Sequence, residues 1–264
     1  MKESDILNGL FLSLGRAPYS AKELVSLAAP FSITEGSVRT WLSRQLKTGF
    51  LEKNKEGAQT RYGLSDKGKR ISSNVSLSFS SPDWSDWDGR FWGFVFSVPE
   101  GKRQQRHRLK TKLSSYRFAS WYGGFWIRPA SPDEGITDAF TNEGNGNLIT
   151  FLPEKKFTKE DAQRLWDIGT LNGLYIEATG MLRRETERLS AYSPAEAHVK
   201  RIETGNVIVP LLFKDPLLPN EYLPEKWAGE QVRALFGDWD RLVRTHAKPF
   251  WEHIFNNGGG KNEP

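Results

Sequence analysis

Between Ser37 and Lys69 the chain reads SVRTWLSRQLKTGFLEKNKEGAQTRYGLSDKGK, and the period of its apolar residues switches there from helical to alternating. Val38, Leu42 and Leu46 recur at i, i+4 and i+8, so they line one side of a helix that Thr34 can cap and Gly49 can close. Phe50–Lys53 and Arg61–Leu64 then read as two strands of a hairpin around NKEGAQ. Upstream, Ile6, Leu7, Leu10, Phe11 and Leu14 predict a first helix, stopped by Gly15 and Pro18. Ser20 can cap a second helix that carries Leu24, Leu27 and Ala28 and ends before Pro30. Helix, helix, helix, hairpin, with a short turn between the second and third helices, is the order of a winged helix-turn-helix.

On the third helix the side away from the apolar stripe carries Ser37, Arg39, Thr40, Ser43, Arg44 and Lys47. In a helix-turn-helix the first half of the recognition helix reaches base edges, and later basic residues meet phosphates. Arg39, Thr40 and Ser43 are therefore the candidates for base readout, with Arg44 and Lys47 for phosphate. Lys55, Gln59 and Arg61, around Gly57, are candidates for a wing lying along DNA. A solvated helix and a polar turn would have a similar composition, and the charge distribution favours the DNA reading. Residues 1–71 hold twelve Lys/Arg against seven Asp/Glu, whereas residues 72–264 hold twenty-five of each, so the whole net charge of +5 sits in the N-terminal quarter.

A Ser-rich stretch from Ser72 to Gly89 marks a composition shift. Beyond it, RFWGFVFSV (Arg90–Val98) reads as a central strand, and PEGKRQQRHRLKTKLSSY as a helix with Leu109, Leu113 and Tyr116 inward. FASWY and GFWIRP make two further strands, SPDEGITDAF a short helix begun by Ser131 and Pro132, and NLITFLP a last strand. This β-α-β-β-α-β order predicts a ferredoxin-like domain. The remainder is helical: a short helix capped by Thr158, a longer one through Leu171, Tyr175 and Leu182, and one opened by Ser193-Pro194. The connector KDPLLPNEYLPEKW is expected to be extended, and a final helix runs through Val232, Phe236, Trp239 and Val243. The fold class is thus α+β. The expected domains are a winged helix-turn-helix (1–75), a linker (76–88), a ferredoxin-like domain (89–157), a helical C-terminal domain (158–256) and a disordered tail (257–264).

With no cysteine among 264 residues, disulfides, thiolate nucleophiles and Cys zinc sites are excluded. No apolar run is long enough to span a membrane, and the acids in MKESDILNGLFLSLGR make a poor signal peptide, which points to a cytoplasmic protein. The four histidines lack metal-like spacing, and no enzymatic constellation or cofactor motif stands out. Lys102–Arg117 is a run of Lys and Arg without one acid. Lys102, Arg103, Arg106 and Arg108 could meet DNA phosphate or an anionic effector, and the run could equally pair with carboxylates elsewhere in the chain.

Four stretches resemble the PaaX family, repressors of phenylacetate catabolism in bacteria. They are TEGSVRTWLSRQLKTGFLEK, WDGRFWGFVFSVPEGKRQQRHRLKTKL, GFWIRP and LFKDPLLPNEYLPEKWAGEQVRALF. The resemblance implies a homodimeric transcriptional repressor on double-stranded operator DNA, with no cofactor, released by an effector such as phenylacetyl-CoA or a similar acyl-CoA. The middle domain is also similar to the small ferredoxin-like nucleases of CRISPR spacer acquisition, which place an acid at the end of the first strand to bind metal. Here Ser97 stands there, and a neutral hydroxyl is a poor main Mg²⁺ ligand, which argues against the nuclease alternative.

Overall fold

A computed structural model describes residues 1–13, 18–56, 59–69, 72, 79, 81–131, 135–140, 146–154 and 156–258. The chain is α+β and divides into two units, the first made of Met1–Phe79, Ala178–Pro210 and Gln231–Pro264, the second of Ser80–Glu177 and Leu211–Glu230.

The first unit begins with helix α1 (Glu3–Ser13), a two-residue strand β1 (Tyr19–Ser20), helix α2 (Ala21–Ala28) and helix α3 (Glu35–Lys47). Strands β2 (Leu51–Glu56) and β3 (Gln59–Leu64) follow as an antiparallel hairpin, and β1 adds to its edge, giving the order β1-β3-β2. Strand β1 is an addition to the sequence expectation, in which Ser20 serves only as a helix cap. Ser20 in fact does both, pairing with Arg61 across the ladder and accepting from the Glu23 amide in a capping box. The apolar periodicity buries Leu10, Leu24, Leu27, Val38 and Leu42 in one core, together with Trp41, which lies off the i, i+4, i+8 stripe. Leu46, the last residue of that stripe, is only half-buried.

Three long helices contribute to this core or to the second unit: α7 (Ile168–Arg188), α8 (Pro194–Lys214) and α9 (Gly229–Gly258). Ile202 of α8 and Ile254 of α9 pack into the first core. Asn257 and Gly258, expected in a tail on composition, continue α9, because the helix persists through Pro249; residues 259–264 of that tail lie outside the described residues.

The second unit is built on strands β4 (Phe91–Phe96), β5 (Ala119–Tyr122), β6 (Phe125–Pro129) and β7 (Gly146–Phe151), in the order β5-β6-β4-β7 with every neighbouring pair antiparallel. Strands β4 and β5 are thus parallel with β6 between them, and helix α4 (Arg103–Ser115) connects the two. The short helix α5 (Ile136–Phe140) connects β6 to β7; it starts later than Ser131, and residues 132–134 lie outside the described residues. One face of the sheet packs Phe94, Phe96 and Trp126 against Leu109 and Leu113 of α4 and Phe140 of α5. The other packs Phe91 and Ile127 against Phe157, Ala162 of helix α6 (Lys159–Trp166), Leu218 and Tyr222. Burial on both faces explains why β4 reads as a continuous apolar run and not as an alternating one. The connector after α8 is irregular from Asp215 to Pro219, as its prolines require, and then forms a single 3-10 turn at Asn220–Tyr222.

His198 of α8 is fully buried in the first unit. Its Nδ1 accepts from the Trp251 indole at 3.0 Å, and because an indole nitrogen only donates, the imidazole proton must sit on Nε2. Nε2 then donates to the Leu27 carbonyl at the end of α2, also at 3.0 Å. Burial, reinforced by the nearby Arg201 charge, holds this imidazole at a pKa of about 4, below its ordinary 6.5. As pH falls below 6.5 the unfolded chain takes up a proton that the fold does not, so stability is lost between about pH 6.5 and 4. The expected loss is roughly 3 kcal/mol. Urea denaturation of wild type and His198→Phe at pH 7 and pH 4 checks this: the stability gap between them should shrink by that amount at the lower pH. A gap independent of pH would refute the assignment.

Candidate nucleic-acid interface

Helix α3 begins at Thr34, whose Oγ1 accepts from the Ser37 amide at 3.2 Å while donating to the Ser37 hydroxyl at 3.2 Å. Ser37 is therefore half-buried and engaged in the cap. At the other end Gly49 adopts φ +70, the left-handed conformation that favours glycine after a helix. Ser65 Oγ donates to the Gly49 carbonyl at 2.6 Å, and Lys67 Nζ to the Thr48 carbonyl at 2.9 Å. Trp41 fixes the rotation of the helix: its ring is buried and its Nε1 donates to Asn8 Oδ1 of α1 at 3.1 Å. With Val38, Trp41 and Leu42 inside, the residues left in solvent are Arg39, Thr40, Ser43, Arg44 and Lys47. Arg44 and Lys47 occupy the last turn, where cations also complement the helix dipole.

Arg39 is not free on this surface. Its Nη2 and Nε lie 2.6 and 2.7 Å from Glu35 Oε1, one turn earlier, and both side chains are more than half exposed. The i, i+4 spacing of Glu35 and Arg39 is visible in the sequence, but it joins the helix's first turn to its outer face, which a reading of the cap alone keeps apart.

In the hairpin, Lys55 pairs with Thr60 and is exposed, and Gln59 is exposed on the alternate face; residues 57–58 at the tip, Gly57 included, lie outside the described residues. Lys53, which is not among the candidates from sequence, alternates onto the same face as Lys55 and is also exposed. Arg61 is placed differently from a surface contact. Its Nη1 donates to Glu23 Oε2 and to the Pro18 carbonyl, both at 3.3 Å, and its side chain is only 16% exposed. The hairpin face that carries Arg61 is turned to α2, so the guanidinium meets a buried carboxylate and not solvent.

The second unit holds the remaining candidates. Lys102, Arg103 and Arg108 are exposed, but Arg106 is half-buried and donates to the Val98 carbonyl at 2.8 Å, closing the turn between β4 and α4. Ser97 is exposed just beyond β4. Among the described residues no group of three or more His, Cys, Asp or Glu is placed to hold a metal ion. Among them, too, no helix is long and apolar enough to cross a membrane.

These features define an α+β chain that presents a capped helix with polar and basic side chains to solvent, and that also contains an antiparallel four-stranded sheet. Family models match it in order: PaaX-like protein over residues 7–68, PaaX protein central Cas2-like domain over 85–166, and PaaX-like protein C-terminal domain over 166–253. The chain belongs to the PaaX family. It is 26% identical over 229 residues to the transcriptional repressor PaaX of Escherichia coli (strain K12), a match covering 80% of this chain and 70% of that one. It is also similar in fold to Rv0674, an uncharacterized protein from Mycobacterium tuberculosis, with a TM-score of 0.62, 22% identity and coverage of 92% of this chain and 96% of that one.

Glu35 puts one negative charge on an otherwise positive helix face. Glu35→Gln should tighten binding to a random-sequence duplex by about two- to fivefold at low salt, since it removes repulsion near the phosphates. Both residues of the pair are exposed, so stability should change by less than about 0.5 kcal/mol. Fluorescence anisotropy and urea melts give the two quantities; unchanged or weaker duplex binding would show that this face does not approach phosphate.

Proposed function

We propose that the protein is a DNA-binding transcriptional repressor, not an enzyme, that reads its operator with the outer face of α3. The observation that carries this reading is the separation of α3 into a buried Val38/Trp41/Leu42 side and a solvent side of Arg39, Thr40, Ser43, Arg44 and Lys47. The repressor function of the Escherichia coli relative supports it. On this reading α1 to α3 and the hairpin act as a winged helix-turn-helix within residues 1–75, with α3 as the recognition helix and Lys53 and Lys55 in the wing. The sheet with α4 and α5 acts as a ferredoxin-like domain within residues 89–157, and the helices of residues 158–256 as the C-terminal domain. A single winged helix contacts too few base pairs for useful specificity, so the working form is a homodimer on two half-sites about one helical turn, or a multiple, apart. The family supports an aromatic-acid catabolic operon as the target and an acyl-CoA of the phenylacetyl-CoA type as the releasing effector.

Arg39 and Lys47 should fail differently. Because Arg39→Ala would leave Glu35 uncompensated, it is best made in the Glu35→Gln background. There it should cost roughly 1–3 kcal/mol on a duplex selected from a random pool and relax preference at one position, with little effect on a scrambled duplex. Lys47→Ala should weaken both duplexes alike and flatten the slope of log affinity against log salt by about one unit. Wild-type affinity of both variants on both duplexes, with the fold intact by circular dichroism, would remove α3 from the role of reader.

A further inference from the structure

The acid-free run Lys102–Arg117 sorts in the structure into two sets that the sequence could not separate. The inward set is satisfied by main chain: Arg106 donates to the Val98 carbonyl at 2.8 Å, Lys112 to the Ala139 carbonyl at 2.6 Å and Arg117 to the Asp215 carbonyl at 3.0 Å. The outward set is Lys102, Arg103, His107, Arg108 and Lys110, all exposed, and among the described residues none of the five has a carboxylate within ion-pairing distance. Among the described residues, then, the outward set does not pair with the chain's own acids.

The positions form an elongated surface. Arg103, His107 and Lys110 follow each other at i, i+4 and i+7, with Arg108 on the adjoining ridge beside Gln104. At 1.5 Å rise per residue they extend over about 10 Å, and with Lys102 preceding the helix over somewhat more. Each strand of a duplex carries a phosphate about every 3.4 Å of helix axis, so a run of this length can lie along about three of them. The alternative ligand, the compact polyphosphate end of an acyl-CoA, needs a concave seat with an apolar surface for its base and acyl chain. Neither depression along α4 has a Leu, Ile, Val, Phe, Tyr or Trp side chain in its lining: one is lined by Arg103, Gln104, His107 and Arg108, the other by Gly101, Lys102, Arg103, Gln104, Gln105 and Arg108.

We propose that the exposed face of α4 is a second nucleic-acid surface, which binds the duplex sugar-phosphate backbone without reading sequence. It rests on the reading of the protein as a DNA-binding repressor, and adds to the α3 contact a sequence-independent one supplied by the Cas2-like domain. Affinity would then depend on both surfaces, and discrimination between sequences on α3 alone.

The test uses the full chain with three variants and a random-sequence 40-base-pair duplex. In Arg103→Ala/Arg108→Ala/Lys110→Ala three side chains no longer reach phosphate. The slope of log affinity against log salt should therefore fall by about two to three units, and affinity at 0.15 M salt by up to about a hundredfold. Arg103→Lys/Arg108→Lys/Lys110→Arg should keep the wild-type slope. Arg183→Ala/Arg184→Ala/Arg188→Ala, which lowers net charge equally on exposed positions of α7, should change it by less than half a unit. The ratio of affinities for selected and scrambled duplexes should be unchanged in the α4 triple variant. An unchanged slope in that variant, or an equal loss in the α7 control, overturns the proposal. Intact DNA binding with weaker binding of coenzyme A by the α4 variant also overturns it, in favour of an effector seat. Failure of the repressor reading looks different: wild type would then show no preference for any selected duplex, whatever its salt slope.

Discussion

The carboxylate of Glu23 is only 2% exposed, and the geometry of the N-terminal unit turns on how it is satisfied. Leaving such a group without partners in an apolar core would be strongly destabilising, so its neighbours have to be held in place. Glu23 accepts the Ser20 amide at 2.7 Å, Ser20 Oγ accepts the Glu23 amide at 3.2 Å, and Arg61 approaches the same carboxylate at 3.3 Å. One side chain thereby fixes the start of α2 and holds β1 against β3. The opposite face of the hairpin carries Leu51, Tyr62 and Leu64 into the core, and Lys53 and Lys55 follow Leu51 on that face toward the tip, where both are exposed. An arginine with the sequence signature of a wing contact thus ties the hairpin to α2.

A similar division of labour recurs in the second unit. Arg106, Lys112 and Arg117 donate to carbonyls, and Arg128, which is 2% exposed, donates to the Tyr116 carbonyl at 2.8 Å. Carbonyls carry no net charge, so these bonds by themselves take nothing from the positive potential of the domain. Exposed cations on α4 add to that potential. Some exposed cations elsewhere lie next to acids, as in Arg241 with Asp238 at 2.8 Å and Lys248 with Glu252 at 3.4 Å, and their field is largely cancelled. Composition balances to zero over residues 72–264, yet the balance is not local.

What can be read from the sequence follows the range of the interactions involved. Helix caps and apolar stripes are local, so Thr34, Ser20 and Thr158 are recognisable as caps and Val38 and Leu42 as core. The succession of strands and helices from residue 91 to 151 is visible in the same way, from the alternation of apolar runs. The roles of Arg61 and Arg106 depend on partners across a tertiary contact: Glu23 is thirty-eight residues from Arg61. Nothing in a basic residue's own neighbourhood says whether it will turn inward. Trp41 escapes an i, i+4 stripe because the i+3 position completes the buried side as well as i+4 does, and β1 escapes because two residues are too few to show a period. Glu35 escapes for a simpler reason: the first turn of a helix is surface as well as cap.

The end of β4 joins the strand of the Cas2-like domain directly to its basic helix. A neutral, exposed hydroxyl at Ser97 offers a divalent cation much less than a carboxylate would. One residue further on, the Val98 carbonyl is bonded by Arg106, and that bond closes the turn from which α4 starts. The strand terminus therefore serves to launch the basic helix. The helix is anchored from below by Leu109 and Leu113, both buried against the sheet aromatics Phe94 and Trp126. Because anchoring is carried by apolar packing and by the carbonyl bonds of Arg106 and Lys112, the exposed side chains of α4 are not needed for it. They can be basic throughout without cost to the core, and charge so placed attracts phosphate without depending on sequence.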